Sequence, residues 1–474
     1  MAKKSAPVLS KNSVLALMCG VVAMTVLDLS VVNVALPSIQ ADLHAKPADL
    51  QWVVVIYGVI VAGFLMLGGR TGDLVGHRKV LVTGIGVLAV ASLVGGLSGT
   101  LGILIAARAG QGFGAALAAP NALAILSRTF AEGLERNRAL GIFGAAGGTA
   151  AIAGSIFGGL LVQGPGWQWV FFLNVPLGAV LAGLVLARVP ADAPRAKRAR
   201  PDVGGAMTLT AGLIAATFGV HESIGTGWLS AQTLVPLLGG LGLLGVFVAV
   251  EANVASPLIP LATLRKRSLL FANLAAGLLW ASFLGLIYEA TLFTQQVLHY
   301  TPLAAGSATI PIAVLSLGVS ARVAPMVITR IGAAKTLAIG MAIQGGGLLL
   351  LARVPADASY LVDIFPAFSI IGVGLGFAQV AMQIAAFAGV GKDEAGLAGG
   401  AVETSREMGG ALGLALLVSV ALGGTTNGTD AFHRSVLAAA IFAAASALVA
   451  IALLRPAERI HITRIPQSPL RSAA

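Results

Sequence analysis

Apolar residues run along this chain in blocks of about 18–25, separated by short polar segments. The blocks fall near 14–36, 51–69, 79–98, 101–126, 139–163, 168–187, 203–220, 233–252, 269–297, 303–321, 335–352, 361–390, 397–422 and 435–454. Runs of this length predict helices that cross a bilayer, because about 20 residues at 1.5 Å rise span its hydrocarbon core. The pattern therefore predicts an all-α polytopic membrane protein with fourteen transmembrane helices.

Composition agrees. Of 474 residues, 57% are hydrophobic and 10% charged, and mean hydropathy is +0.92. A soluble domain carries about 25% charged residues to solvate its surface, so lipid must cover much of this one. The formal charge of +11 raises the question of nucleic acid. Its distribution answers no. Among the 30 lysines and arginines, only Lys46, Arg353 and Arg434 fall in the loops of one side, and Arg108 and Arg406 lie within spans. The rest share the other side with both termini. The positive-inside rule makes that side cytoplasmic, with an even number of spans, in the plasma (bacterial inner) membrane. The basic start "MAKKSAPVLSKNS" precedes an apolar run too long for a signal-peptide core, so it reads as an uncleaved first span. One cysteine, Cys19, excludes an internal disulfide and a cysteine-built metal site. "GVGKDEAG" lacks the spacing and the Ser or Thr of a nucleotide cradle, and no His/Cys cluster points to metal. No cofactor is expected.

Polar linkers divide the chain: residues 1–188 as a six-helix bundle, 189–202 a basic linker, and 203–252 two additional helices. Residues 253–268 form a cytoplasmic loop, 269–454 a second six-helix bundle, and 455–474 a cytoplasmic tail. Weak internal matches support two related bundles. "AGQGFGAALAAPNA" pairs with "IGVGLGFAQVAMQIA", "GDLVGHRKVL" with "ITRIGAAKTL" and "GSIFGGLLV" with "MGGALGLALLV", in the same order. The 61 glycines suit helices that approach closely in lipid.

Several stretches resemble one family. "VLDLSVVNVALPSI" is similar to the first-helix signature of the fourteen-helix drug:proton antiporters of the major facilitator superfamily. "GGRTGDLVGHRK" resembles that superfamily's loop motif after the second helix, and "RAGQGFGAALAAPNA" its arginine-based fourth-helix motif. "GSIFGGLLVQGPGWQWVFFLNVPLG" resembles the fifth-helix glycine motif with the entry to the sixth, and "QQVLHYTPLAAGSATIP" the ninth-to-tenth turn. There are departures: Gly154-Ser155 replaces the common Gly-Pro, and Leu74 and His77 stand where basic residues are usual. The resemblance implies proton-driven export of drugs or antibiotics by alternating access.

Individual residues sharpen this reading. Asp28 lies mid-span, where a carboxylate costs roughly 2.5–3.5 kcal/mol on insertion scales. Such charges mark ion or substrate paths, so Asp28 is read as a proton-coupling acid; interfacial snorkelling is the alternative. Arg108 does not release its proton and is read as the counter-ion of a nearby carboxylate, with Asp28 the first candidate. Glu289 is the deepest acid of the second half and a competing coupling site, or a helix–helix hydrogen bond. A tentative substrate cavity takes Asp28, Asn33, Gln111, Glu289, Gln296, Glu403 and Arg406. In "ETSRE", Glu403, Arg406 and Glu407 share a helix face, and a local ion pair is the alternative there. Gly69, Asp73, Gly76 and Arg78 are assigned to a conformational latch, with Asp73 near a helix N-terminus and basic side chains reaching the other bundle in one state. Gly112, Gly154, Gly158 and Gly159 are assigned to helix packing. Trp167 and Trp169 are expected to anchor at the outer interface, and Glu222 and Glu251 near the membrane surface.

The expected protein is thus a proton-coupled exporter of amphipathic small molecules, functional as a monomer, with lipid, protons and substrate as its partners. Export of a lipid, siderophore or endogenous metabolite is the nearest rival. A membrane enzyme would need a convergent nucleophile or His/acid set, and a sensor would need a soluble output domain; the sequence displays neither.

Overall fold

A computed structural model describes residues 10–192, 202–254, 257–258, 266–388, 390, 395–425 and 427–453. Most of the 189–202 linker, most of the 253–268 loop and the 455–474 tail lie outside the described residues. No strand occurs among the described residues.

Fourteen helices among them are long and apolar enough to cross a membrane. The first six are α1 (Lys11–Asp42), α2 (Pro47–Val75), α3 (His77–Gly96), α4 (Leu101–Thr129), α5 (Leu134–Gln163) and α6 (Trp169–Arg188). Next come α7 (Val203–Thr226) and α8 (Ala231–Asn253). The last six are α9 (Arg267–Val297), α10 (Pro302–Ile331), α11 (Ala333–Leu351), α12 (Tyr360–Phe387), α13 (Leu397–Leu422) and α14 (Gly428–Ile451). Many extend beyond their apolar blocks by a turn or more. Hydropathy marks the part that lipid surrounds, whereas the helix continues until its backbone groups find caps. Thr100, Asp202, Ser230 and Thr301 supply such caps, each accepting from a backbone N–H three residues on.

The pairings of α9–α14 repeat those of α1–α6. The α1–α5, α2–α4 and α3–α4 contacts recur as α9–α13, α10–α12 and α11–α12. Small residues make the close contacts in both sets. A Cβ added at Gly84 of α3 would lie 2.7 Å from the Gly114 carbonyl of α4. One added at Gly340 of α11 would lie 2.7 Å from the Gly374 carbonyl of α12. In lipid such backbone approach, rather than expulsion of water, supplies much of the attraction between helices. Gly112, Gly154, Gly158 and Gly159 face Tyr57, Ser30, Val31 and Leu303 respectively, at 2.5–2.9 Å from a built Cβ.

Three seams join the two sets of helices. At the end where α1 finishes, α5 meets α10 through Gly159 and Leu303. At the same end α9 loosens into a π-helical turn, Phe293–Val297, from which Gln295 donates to the Val34 carbonyl at 3.0 Å. Gln296 donates there to Gln40 at 2.7 Å. The third seam runs between α2 and α13, and α7 packs against both. Ser223 of α7 hydrogen-bonds Ser419 of α13, while His221 bonds Gln51 and pairs with Asp49 of α2.

Two surface expectations need correction. Trp167 is 4% exposed and its indole N–H donates to Asp42 at 2.8 Å, so it fastens the entry of α6 to the end of α1. Trp169 is exposed. Glu251 is buried rather than interfacial, and its carboxylate accepts from the Leu258 backbone N–H. An acid near the end of an apolar run reads as interfacial, but here the Leu258 N–H reaches it.

Gly158→Val should lower thermal stability in detergent by about 1–3 kcal/mol, because Val31 backbone occupies the space its side chain needs. Gly86→Val, at a position with nothing within 4 Å, is the control and should shift the melting temperature far less. Equal shifts would mean that α1–α5 packing is not set by this contact.

Candidate functional site

Five helices converge on Asp28. The side chain is fully buried in α1, and three donors reach it. Arg108 Nη1 lies 2.7 Å from Oδ2, and Gln111 Nε2 and Asn174 Nδ2 lie 2.7 and 2.5 Å from Oδ1. Arg108 also donates through Nε to the Val53 carbonyl of α2 at 2.8 Å and through Nη1 to Gln111 Oε1 at 2.9 Å. Gln111 completes its amide by donating to Ser92 of α3 at 2.7 Å. The Arg108 guanidinium lies over the Tyr57 ring, 4.5 Å from its centroid.

Helical spacing explains the convergence on α4. Arg108 and Gln111 are three residues apart, so both project on the face that meets α1. The opposite charges neutralise each other, which is the condition for keeping either at this depth. Two polar atoms are left over. Arg108 Nη2 is buried with no hydrogen-bond partner, and so is Asn174 Oδ1. Such a site can hold a negative charge on Asp28 only while Arg108 stays beside it.

The other candidates are dispersed. Asn33, also on α1, donates to the Leu29 carbonyl at 3.0 Å, and its Oδ1 is buried without a partner. Glu289 of α9 is 6% exposed and takes part in none of the ion pairs among the described residues. Gln296 is engaged with Gln40. Glu403 and Arg406 of α13 pair at 2.6 Å, and the Arg406 guanidinium stacks over Trp280 at 4.1 Å.

The loop residues form a second network. Gly76 joins α2 to α3 at φ +110°, a conformation glycine adopts without strain. Asp73 sits in the last turn of α2, where it pairs with Arg128 of α4 at 3.2 Å and His77 at 3.4 Å. The carboxylate that accepts from the first turn of α3 is Asp192, 3.0 Å from the Arg78 backbone N–H. Asp73 stands near that helix start through its contact with His77, and the chain after α6 adds Asp192 there. The Arg78 guanidinium donates to the Leu186 carbonyl of α6, a contact within the first six helices. Gly69 meets only Pro120, at an ordinary 3.6 Å from a built Cβ.

Sequence reasoning did not single out Asn174, Ser92, Tyr57, Arg128 or Asp192. Asn174 offered a signal, a lone amide within "FFLNVPLG".

The Major Facilitator Superfamily model matches residues 18–414. The chain belongs to this superfamily. A cephamycin export protein of Amycolatopsis lactamdurans is 40% identical to it over 449 residues, 94% of this chain and 92% of that one. A puromycin resistance protein of Streptomyces alboniger is 36% identical, covering 85% and 80% of the two chains. Among solved structures, the nucleoside transporter NupG shares the fold with a TM-score of 0.64 at 14% identity, covering 93% of this chain and all of that one. The fourteen apolar helices and this membership make the protein a multi-pass membrane transporter of the superfamily.

Asp28→Asn and Arg108→Gln should each destabilise the protein by about 3–5 kcal/mol, since each leaves its partner as an uncompensated buried charge. The double variant should cost clearly less than the sum, because neither charge remains. Thermal melts of the four proteins in one detergent measure this. Additive losses would show that the pair is not energetically coupled.

Proposed function

We propose that this protein is a plasma-membrane antiporter that exports amphipathic, antibiotic-like small molecules in exchange for protons. The observation that carries the coupling is Asp28, a fully buried carboxylate held beside Arg108 within the membrane-spanning region. The export roles that the names of its relatives describe support the direction and the substrate class.

In this reading, residues 1–188 and 269–454 are two bundles that rock about a midplane cavity, with 203–252 as the added hairpin. Both termini are cytoplasmic, following the distribution of lysine and arginine. The Gly159–Leu303 and Gln296–Gln40 contacts then close the outer side. Asn33, Glu289, Glu403 and Arg406 face the substrate, and the unpaired Asn33 carbonyl oxygen is a ready acceptor for it. Gln111 acts indirectly, by fixing Asp28. The protein works as a monomer and needs no cofactor beyond the proton gradient.

Purified protein in liposomes with an imposed pH gradient tests the function, using puromycin and a cationic dye as probes. Wild type should accumulate them against their gradient. Asp28→Asn should cut gradient-driven transport by at least about tenfold. Full gradient drive in Asp28→Asn would move the coupling role to another acid, with Glu289→Gln the next variant to measure.

The latch gives a separate outcome. Asp73→Asn frees Arg128 from one of its two acids, Asp192 being the other, at 3.6 Å. It should slow turnover by about three- to tenfold while leaving substrate affinity within twofold, because Asp73 lies outside the cavity. Lost affinity with normal turnover would place Asp73 in substrate recognition.

A further inference from the structure

Arg406 of α13 leaves most of its donors unused. Its Nη1 donates to Glu403 at 2.6 Å, and its guanidinium lies over the Trp280 ring of α9, 4.1 Å from the centroid. Nε is enclosed and has no partner, and Nη2 makes no hydrogen bond either. In a guanidinium the Nε–H and one Nη2–H point the same way, a fork that matches the two oxygens of a carboxylate. That fork is vacant. The Trp280 indole N–H, in the same stack, is a further enclosed donor without a partner. Enclosed N–H groups without acceptors are costly, and neighbours of this kind call for a common partner.

The surrounding helices hold the fork in place. Ser405 donates to Asn273 of α9 at 2.9 Å on one side of Arg406. On the other, Gly409 packs so closely on the Gly277 backbone of α9 that a Cβ would not fit. The stack is also reachable. Gly277, Trp280, Leu284 and Ile287 are half-buried and recur at helical spacing, so Trp280 belongs to a face of α9 that the fold leaves partly open. The Arg406 side chain is itself 17% exposed.

We propose that the Arg406 fork, on its Trp280 platform, binds a carboxylate carried by the exported molecule and so admits organic acids as substrates. This deepens the export reading above and rests on it. Two acids share the neighbourhood: Glu403 takes Nη1, and the charge of Arg406 acts on Glu407 as well. Glu403 is 39% exposed, so water weakens its hold on the guanidinium. A substrate carboxylate therefore gains more from two parallel, directed bonds than from net charge. Nε is covered in this state, so the second of those bonds forms as the guanidinium tilts on the indole.

Isothermal titration of the purified protein in detergent tests this with three probes. Cefoxitin carries a free carboxylate, its methyl ester masks that group, and puromycin has none. Wild type should bind the acid at least about tenfold more tightly than the ester. Arg406→Lys keeps the charge but loses the fork, and should reduce that preference to below about threefold. Arg406→Gln should abolish it. Equal affinity of the wild type for acid and ester would overturn the proposal, with no variant needed. So would a full preference in Arg406→Lys, or a loss common to acid and ester that leaves their ratio unchanged, which assigns Arg406 to structure. A wild type that binds puromycin but not cefoxitin sinks this inference alone. One that binds none of the three removes the export reading on which it rests.

Discussion

A carboxylate and a guanidinium share a dry pocket in the first half of this transporter, and the arrangement of five helices follows from keeping them satisfied. Neither Asp28 nor Arg108 touches solvent. Each would be prohibitive alone, and together they are tolerable because nearly all of their polar atoms find partners, Arg108 Nη2 being the exception. That requirement fixes Val53 of α2, Ser92 of α3, Gln111 of α4 and Asn174 of α6 around α1. It also demands close helix approach. Gly112 on α4, one turn beyond Arg108, lets the α2 backbone come within reach of the guanidinium. The glycines and the charges are therefore one design: small residues bring the backbones near enough to serve as ligands for the polar core.

Much of this was legible in the sequence. Apolar block length predicted the fourteen helices, since only a helix satisfies its backbone in lipid. The pairing of Asp28 with Arg108 followed from the cost of leaving either alone. What stayed hidden was orientation across helices. A single chain shows which residues share a face, but not which neighbour that face meets. Asn174 and Ser92 look like ordinary small polar residues until α3 and α6 are placed beside α1. Trp167 misled for a related reason: an aromatic at a span end suits an interface, yet the nearby Asp42 gave its N–H a better partner. Asp192 sits beside a run of basic residues, and only the fold carries it to the start of α3.

The added hairpin, α7 and α8, occupies a defined place in this scheme. Gly63 of α2 sits against Thr210 of α7, and the Ser223–Ser419 bond ties the same helix to α13. A helix attached to both sides of a seam resists its opening at the attached end. The polar contacts are stronger toward α2, where His221 engages both Asp49 and Gln51, than toward α13, where one hydroxyl pair serves. The hairpin thus bridges α2 and α13, with the richer polar contacts on the α2 side.

The internal repeat explains why the two halves treat charge differently. Aligning "AGQGFG" of α4 with "IGVGLG" of α12 keeps the glycines, Gly112 with Gly374 and Gly114 with Gly376. The same alignment sets Arg108 against Ile370 and Gln111 against Val373. The second half thus kept the packing surface and lost the polar ligands that hold a buried carboxylate. At its polar core Gln344 meets only Ser282, with no charge. Glu289 and Glu407 take part in no ion pair among the described residues, and Arg406, beside Glu407 in sequence, is paired with Glu403. A buried charge pair in one half, without a counterpart in the other, makes the two halves electrostatically unequal on a common packing surface.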